Sequence, residues 1–355
     1  MKLPDFPWDA LAPYGQRARA HPQGGIDLSQ GTPVDPTPEF IQAELKASAN
    51  SPSYPVTTGS KELRESLINY SRQVLGATGE FDVLPTIGSK EMVALLPFLL
   101  EAKRVLIPRI AYPTYKVGGL LAKAEVIEVD IDPASWPAEG VDLVWLNTPS
   151  NPTGRVHSDD EMRAVRNWSR SHGIAIASDE CYLPFPDQKR GTSMLKFAEG
   201  DNKNLLALHS LSKRSNLAGY RAAFIAGDNA LIGRLLEIRK HMGMMVPLPV
   251  QRAMAKALGD ETHVTAQAEL YRARRKKLSS ALIANGFKVE GSEAGLYIWC
   301  TRGESDWESV AWFADRGIIV TPGNFYGDAG KMHIRMALTA TDANIDEAVS
   351  RIGAN

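Results

Sequence analysis

Short apolar runs alternate with helix-like segments over about residues 35–235, and this alternation constrains the fold more than any other feature of the sequence. Strand-like runs occupy residues 105–107, 126–129, 141–146, 174–178, 205–208 and 222–226. The run at 174–178 is apolar on both faces, as in a buried strand of a parallel sheet, and the last two runs share this character. The alternation predicts an α/β fold, with a mostly parallel sheet covered by helices on both faces.

The segments between these strands carry helix start and stop signals. Ser60 can cap a helix that ends before Gly76 and buries one side, formed by Leu63, Leu67, Tyr70 and Val74. Ser158 stands three residues before Glu161, which is a capping box, and Gly173 suits the end of that helix. These signals predict helices on either side of the sheet.

The pattern changes after residue 235. A long helical stretch is followed by strand-like runs at residues 296–300, 318–320 and 333–336, which is typical of a separate α+β unit. We therefore predict a large domain at 35–235 and a small domain formed by 1–34 with 236–355. A basic run at residues 272–277 is expected to be a solvated helix face, since the rest of the chain is close to neutral.

Composition excludes several classes of function. The chain has 355 residues, with 40 Lys+Arg against 41 Asp+Glu, so no global field attracts it to nucleic acid or to an anionic membrane. No apolar run reaches the roughly 18 residues of a membrane helix, and Asp5 interrupts any signal-peptide pattern, so we expect a cytoplasmic protein. Cys181 and Cys300 lack the spacing of a zinc site and are expected to be buried free thiols; no metal is predicted.

Three polar segments follow strand-like runs, where open parallel sheets bind their ligands. The segment at 147–154 reads N-T-P-S-N-P-T-G and could be an ordinary turn. Asp179 follows the run at 174–178, where an acid either caps a helix or faces a cation such as a protonated ring nitrogen. Lys213 and Arg221 follow the run at 205–208.

The third segment combines an amine with anion-binding groups. A lysine in a low-dielectric cleft has its charged form disfavoured, which suits Lys213 to act as a nucleophile or Schiff-base former. Two hydroxyls and an arginine, Ser210, Ser212 and Arg221, suit a phosphate dianion. Alone this cluster could be a generic anion site. With the other two segments it provides an amine, a carboxylate for a pyridinium and donors for a phosphate.

These residues, in this order, resemble the fold-type I pyridoxal-phosphate enzymes of the class I/II aminotransferase family, over nearly the whole chain. The resemblance implies pyridoxal 5′-phosphate as cofactor and a large α/β/α domain with a smaller α+β domain. It implies that Lys213 attaches the cofactor and shuttles a proton, and that Asp179 pairs with the pyridine nitrogen. Asn151 and Tyr182 would hydrogen-bond to the phenolic oxygen of the cofactor.

The resemblance also implies the remaining binding residues. The phosphate would be held by Ser210, Ser212 and Arg221, helped by the backbone amides of Ser89 and Lys90 at the start of the helix after Gly88. Lys90 departs from the small or uncharged polar residue found in many members of the family, and its side chain either contacts the phosphate or faces solvent. Three further residues match a stacking aromatic, the substrate-carboxylate arginine and the glycine beside that carboxylate: Tyr112, Arg335 and Gly31. Tyr54 matches a tyrosine that reaches the neighbouring subunit's phosphate, which implies a homodimer.

A finer resemblance is to the actinobacterial type of N-succinyldiaminopimelate aminotransferases, on residues 3–8, 31–36 and 212–221. It implies transfer between glutamate and N-succinyl-2-amino-6-oxopimelate, in lysine and diaminopimelate biosynthesis. Such a substrate calls for extra cations, and the available ones are Arg17, Lys61, Arg109 and Lys116, each also readable as a surface charge. The alternatives are another acceptor, such as acetylornithine, aspartate or an aromatic amino acid, a C–S β-lyase, or a ligand-sensing module.

Overall fold

The computed structural model describes residues 3–4 and 7–354, so residues 5 and 6 of the motif at 3–8 lie outside the described residues. The α-helices are α1 (Ala12–Arg19), α2 (Glu39–Ala47), α3 (Lys61–Gln73), α4 (Ser89–Leu99), α5 (Thr114–Leu121), α6 (Asp159–His172), α7 (Met194–Phe197), α8 (Leu211–Arg214), α9 (Asn229–Met242), α10 (Leu248–Leu258), α11 (Thr262–Ala284), α12 (Asp306–Asp315) and α13 (Asp342–Gly353). The strands are β1 (Ile26–Asp27), β2 (Asp82–Ile87), β3 (Arg104–Pro108), β4 (Glu125–Val129), β5 (Leu143–Asn147), β6 (Ala175–Asp179), β7 (Leu205–Ser210), β8 (Ala222–Gly227), β9 (Lys288–Glu290), β10 (Tyr297–Thr301), β11 (Ile318–Ile319), β12 (Thr321–Pro322) and β13 (Ile334–Ala337).

The largest sheet of the described chain has seven strands in the order β2-β8-β7-β6-β5-β3-β4. The strands from β3 to β7 run parallel, which confirms the predicted mostly parallel sheet. Strand β8 runs antiparallel to β7 and β2, so the expectation of a parallel strand at 222–226 was wrong. The connection at 211–221 is shorter than the dozen or so residues that a parallel crossover needs, so the chain turns back beside β7.

Successive residues of the central strands face two different cores. Val105, Trp145 and Ala177 pack on the side of α4, α5 and α9, whereas their neighbours Val144 and Ile176 pack on the side of α6. This period of two arises because side chains alternate across a strand. Both faces of the large sheet are apolar and covered by helices. The ends of the central strands are therefore buried as well, and polar side chains can lie there.

The predicted helix signals are confirmed where they concern capping. The Ser60 hydroxyl accepts a hydrogen bond from the Leu63 amide at 3.2 Å, and Ser158 and Glu161 form the reciprocal capping box. Gly173 ends α6 in the left-handed conformation that glycine adopts without strain. Val74 was expected on the buried side of its helix, but α3 ends at Gln73 and Val74 is 48% exposed.

A second, smaller body combines both ends of the chain. Its four-stranded antiparallel sheet has the order β12-β13-β10-β9, and β1 pairs in parallel with β11. One core unites residues of the N-terminal segment with those of α11, α12 and α13. The domain boundaries at residues 34 and 235 stay a prediction. Helix α10 packs against α2 and α3, on the side of the large sheet.

The basic run in α11 is not a solvated face throughout, and that expectation was wrong for two of its arginines. Arg274 and Arg275 are buried. Arg274 donates to both Asp35 carboxylate oxygens at 2.7 and 2.8 Å and to Asp342 at 2.7 Å. Arg275 donates to the backbone oxygens of Tyr297 at 2.7 Å and of Gly295 at 2.6 Å. These forks join α11 to the N-terminal segment and to β10.

Two features of the composition have structural counterparts. Cys181 and Cys300 are buried free thiols, as expected. Among the residues that the structure describes, no helix is both long and apolar enough to cross a membrane.

Candidate active site

The polar segments expected at the strand ends meet at one edge of the large sheet. Asn147 ends β5, Asp179 ends β6 and Ser210 ends β7, and Asn147 lies opposite Asp179 in the β5–β6 register. The edge is therefore formed by the carboxyl ends of neighbouring parallel strands. The Asn147 side-chain Nδ2 donates to the Asp179 backbone oxygen at 2.9 Å, and the Asn147 Oδ1 accepts from the Asn151 backbone N–H at 2.6 Å. These two bonds fix the loop that follows β5.

Asp179 is a buried carboxylate at the centre of this edge. Its Oδ2 accepts from the Tyr115 hydroxyl at 2.9 Å and its Oδ1 from the Cys181 amide at 3.2 Å. Burial raises the pKa of Asp179, although these bonds oppose the rise. None of the ion pairs found among residues 7–354 involves Asp179. A buried carboxylate in this setting fits a ligand that brings its own positive charge.

Tyr115 was missed by the sequence analysis. Its ring stacks on Trp145 with centroids 5.0 Å apart, and its hydroxyl is held against Asp179. Tyr115 stands three residues after the expected stacking residue Tyr112, on the first turn of α5. Their rings meet edge to face at 5.9 Å. Its position next to the Tyr112 motif could have drawn attention to it, but no sequence signal indicates its contact with Asp179.

Lys213 lies on the short helix α8, directly beyond β7. Its Nζ donates to the backbone oxygen of Gly31, a contact that brings the N-terminal segment to the strand edge. Burial lowers the pKa of Lys213 to about 8, as expected for an amine in a low-dielectric cleft. At pH 7 roughly a tenth of this amine is therefore neutral, far more than for an exposed lysine.

An anion cradle forms where the end of β2 lies beside the start of β8. Ile87 pairs with Ala222 in an antiparallel register, so Gly88, which follows Ile87, and Arg221, which precedes Ala222, are neighbours. A Cβ on Gly88 would lie 2.6 Å from the Arg221 Cζ, so the guanidinium occupies the space beside this glycine. Helix α4 begins at the next residue, and its first amides point away from the helix body. A guanidinium beside a helix N-terminus suits a phosphate.

The remaining phosphate candidates lie in different environments. Ser210 and Ser212 are buried, and the Ser210 hydroxyl accepts from the Ser212 amide at 3.1 Å. Ser89 is half-buried and its side chain contacts the Cys181 thiol. Lys90 is exposed, which favours the solvent-facing alternative for its side chain but leaves its backbone amide in the first turn of α4.

Arg335 is a buried guanidinium on β13. Its Nη1 donates to the Asn151 Oδ1 at 2.8 Å and its Nη2 to the Ser29 backbone oxygen at 2.5 Å. Its Nε has no hydrogen-bond partner among the described residues. The guanidinium lies 4.1 Å from the ring centroid of Tyr297 and 5.0 Å from that of Tyr326. A buried fork with an unused donor is suited to a carboxylate.

Tyr182 and Gly31 are joined by Tyr297, which the sequence analysis did not single out. The hydroxyls of Tyr182 and Tyr297 are 3.1 Å apart. A Cβ on Gly31 would lie 2.8 Å from the Tyr297 Cζ, so only glycine fits there.

The peptide bonds before Pro149 and Pro152, in the loop that follows β5, are cis.

Other candidates are not brought to this edge. Tyr54 is 92% exposed. The four extra cations form surface ion pairs: Arg17 with Asp315, Lys61 with Glu65, Arg109 with Asp130 and Lys116 with Glu128. Within one chain these four residues are therefore surface charges, which was the alternative interpretation for each of them.

Comparison with known proteins identifies the family. The family model "Aminotransferase class I and II" matches residues 23–352. The chain belongs to the class I and II aminotransferase family. It is 48% identical to the Streptomyces rimosus 4-dedimethylamino-4-oxo-anhydrotetracycline transaminase OxyQ, over 99% of both chains. It is 49% identical to the probable aminotransferase Rv1178 of Mycobacterium tuberculosis, over 99% of this chain and 85% of the relative.

Solved structures agree on the fold. The probable N-succinyldiaminopimelate aminotransferase of Thermus thermophilus superposes with a TM-score of 0.90 at 26% identity, over 98% of this chain and 99% of the other. The protein is therefore a pyridoxal-phosphate-dependent aminotransferase of fold type I. The buried Asp179 carboxylate, the Gly88–Arg221 cradle and the Lys213 amine fit this cofactor.

Proposed function

We propose that the protein is an N-succinyldiaminopimelate:2-oxoglutarate aminotransferase, which moves an amino group between glutamate and N-succinyl-2-amino-6-oxopimelate. An α-amino acid substrate is supported by the buried Arg335 guanidinium, whose Nε has no hydrogen-bond partner within the described part of the chain. Arg335 lies beside the loop at Gly31, whose backbone oxygen accepts from Lys213. The acceptor is supported by the Thermus relative and by LL-diaminopimelate aminotransferases such as that of Dehalococcoides mccartyi strain BAV1, 30% identical over 99% of this chain.

The cofactor supplies an electron sink that stabilises negative charge on the substrate α-carbon. Within the proposal, Lys213 would attach the cofactor and, as a free amine, would take the α-proton. Burial lowers the pKa of Lys213, so a larger fraction of the amine is neutral and able to accept a proton. Asp179, oriented by Tyr115, holds the proton on the pyridine nitrogen. Tyr182 and Asn151 bind the phenolic oxygen, and Tyr112 stacks on the ring.

The phosphate and the substrate carboxylate have separate binding groups in this proposal. Arg221 binds the phosphate together with the hydroxyls of Ser210 and Ser212 and the first turn of α4, at Ser89 and Lys90. Arg335 binds the α-carboxylate, with Gly31 beside it. Opposite ends of the ligand are thus held by different arginines, which fixes its orientation.

A homodimer in the cytoplasm is part of the same proposal. Tyr54 is 92% exposed, as expected of a side chain that completes a partner's phosphate site rather than its own. The surface pairing of Arg17, Lys61, Arg109 and Lys116 leaves the distal carboxylates of the acceptor to be bound by other groups, in this chain or in the second copy.

A second candidate is amino transfer to a polycyclic ketone, and one observation favours it. The identity to OxyQ is 48% over 99% of both chains, whereas the identity is 30% to the Dehalococcoides mccartyi LL-diaminopimelate aminotransferase and 26% to the Thermus protein. Such an acceptor needs few cationic groups, which agrees with the surface pairing of the four extra cations.

Spectroscopy followed by an acceptor panel tests both candidates. Purified protein with pyridoxal phosphate should show a visible band that glutamate bleaches, and N-succinyl-2-amino-6-oxopimelate should restore it. Lys213→Ala is the control and should show no lysine-bound band. Fast recovery only with a polycyclic ketone would replace the first candidate by the second. Pyruvate release from cystathionine without amino transfer would indicate the β-lyase.

A further inference from the structure

Tyr297 stands where three parts of the site meet. Its hydroxyl is 3.1 Å from that of Tyr182, and its ring lies under the Arg335 guanidinium, with the Cζ of Arg335 4.1 Å from the ring centroid. Its ring edge fills the space that a side chain at Gly31 would need. No role follows for Tyr297 from the strand-end motifs, because it is on β10 of the smaller sheet.

The sheet register explains the contact with Arg335. Strand β10 runs antiparallel to β13, with Trp299 opposite Arg335 and Tyr297 opposite Ala337. Tyr297 and Arg335 are therefore diagonal neighbours on one face, within reach of long and aromatic side chains. The cation over the ring is stabilised by the ring quadrupole, more so when buried.

The strand that carries Tyr297 is fixed by a buried cation. Arg275 donates to the backbone oxygens of Tyr297 and Gly295, at 2.7 and 2.6 Å. Its Nε lies 3.5 Å from an Asp187 carboxylate oxygen. The fork holds two carbonyls two residues apart, so the backbone at Tyr297 has little freedom to shift. A side chain on such a backbone can position its neighbours.

The hydroxyls of Tyr182 and Tyr297 share one hydrogen bond, and which of them donates depends on what else Tyr182 donates to. Each tyrosine has a single proton to donate. If the Tyr182 hydroxyl donates its hydrogen bond to the phenolic oxygen of the bound cofactor, the hydrogen bond between the two hydroxyls would be donated by Tyr297. Donation from Tyr297 polarises Tyr182 and makes it a stronger donor.

We propose that Tyr297 is a positioning residue that links the carboxylate-binding Arg335 to the cofactor-binding hydroxyl of Tyr182. The inference rests on the proposed roles of those two residues. The ring supports the guanidinium, and the hydroxyl supports Tyr182. Tyr297 therefore has two separable functions, one for each end of the amino acid–cofactor pair.

Two substitutions separate these functions. Tyr297→Phe keeps the ring and removes the hydroxyl, so kcat should fall about fivefold while KM and the Kd of succinate, an unreactive carboxylate, change less than twofold. The pH midpoint of the visible band should rise by about 0.7 unit, the same fivefold factor, because the phenolic oxygen loses stabilisation. Tyr297→Leu should in addition weaken succinate binding about fivefold, because the aromatic face is lost.

The other titratable and charged groups around this pair remain unchanged in both variants. Cys181 and Asp179 face Tyr182 from its own segment. Tyr112 and Tyr326 lie around Arg335 from other elements. A shift of the midpoint on hydroxyl removal is therefore assigned to the Tyr297–Tyr182 bond.

Tyr271→Phe is the matched control. Tyr271 is 2% exposed in the same core as Tyr297, and its hydroxyl has no hydrogen-bond partner among the described residues. The kinetic constants of Tyr271→Phe should stay within about twofold of wild type, and the pH midpoint of its visible band within about 0.2 unit, which is roughly the scatter of a neutral substitution. An unchanged midpoint in Tyr297→Phe, or equal succinate weakening in both Tyr297 variants, would overturn the inference. A wild-type protein without a lysine-bound visible band would refute the proposed function itself, and the inference with it.

Discussion

Replacing Gly88 by alanine tests whether the anion cradle at Gly88 and Arg221 binds the cofactor phosphate, without removing any charge. The new Cβ would lie 2.6 Å from the Arg221 Cζ, so the guanidinium must leave its place. Because Arg221 ends in a flexible chain, it can move outward, away from the start of α4. The substitution should therefore weaken cofactor binding through a side chain that is still present.

The size of the effect follows from the bond that is lost. A hydrogen bond to a charged group contributes about 1.5–3 kcal/mol, which corresponds to roughly 10- to 150-fold in the Kd of pyridoxal phosphate. Gly88 also has φ of 74° and ψ of 158°, a region that is essentially confined to glycine, so alanine there costs about 1–3 kcal/mol of folding free energy. Loss of cofactor affinity and loss of stability are separate quantities and are measured separately.

The assay is a titration of cofactor-free protein with pyridoxal phosphate, with urea denaturation of the same samples. Arg221→Ala should weaken binding by the same factor as Gly88→Ala, and the double variant should bind no more weakly than either, because both remove one interaction. Gly233→Ala is the control, since Gly233 lies within α9 with no heavy atom within 4 Å of an added Cβ. It should bind the cofactor normally and gain up to about 1 kcal/mol of stability.

Additive losses in the double variant would refute this reasoning, because they would mean that Gly88 and Arg221 act on the cofactor independently. Wild-type affinity in Gly88→Ala would refute it as well, since the guanidinium would then bind no phosphate from its observed place.

The other predictions concern individual groups. Asp179→Asn should lower kcat at least about 100-fold in steady-state assays, because an amide cannot balance a pyridinium charge; a loss under tenfold would contradict its role. Arg335→Lys should raise KM for glutamate about tenfold by replacing a fork with a point charge, with a smaller effect on kcat. Lys213 has its pKa lowered to about 8 from 10.5, so the cofactor-free fold disfavours its protonated form. Lys213→Met should therefore stabilise cofactor-free protein to urea at pH 7, and the gain should shrink as the pH rises from 8 to 10.5; a constant gain would exclude titration as its cause. Arg274→Met should cost about 3 kcal/mol of unfolding free energy by leaving Asp35 without its fork, whereas Lys277→Met, which removes an exposed pair with Asp346, should cost less than about 1 kcal/mol.

The strand ends were predictable because they depend on local order in the chain. Buried strands followed by Asp179 or Lys213 place those side chains at one edge once the strands are parallel, and the structure has them there. The orientation of β8 was not predictable from its apolar character, because a fully buried strand reads the same in either direction. The length of the preceding connection was the better guide.

The partners of the predicted residues were harder to find. Tyr115 and Tyr297 reach the site from other elements, and nothing near them in sequence identifies what their hydroxyls contact. The buried Arg274 and Arg275 looked like surface charges because helix periodicity does not reveal carboxylates and carbonyls brought from distant segments. Pairwise contacts across the fold were the missing information.

The pairing of β1 with β11 has a consequence for the order of events during synthesis. Ile26 lies opposite Ile318, and the backbone oxygen of Ser29 accepts from Arg335. Residues 26–29 therefore leave the ribosome long before the segments that hold them in place. The Gly31 carbonyl reaches its final position beside Lys213 only after nearly the whole polypeptide has been made, so a nascent chain carries the amine well before it carries a finished pocket.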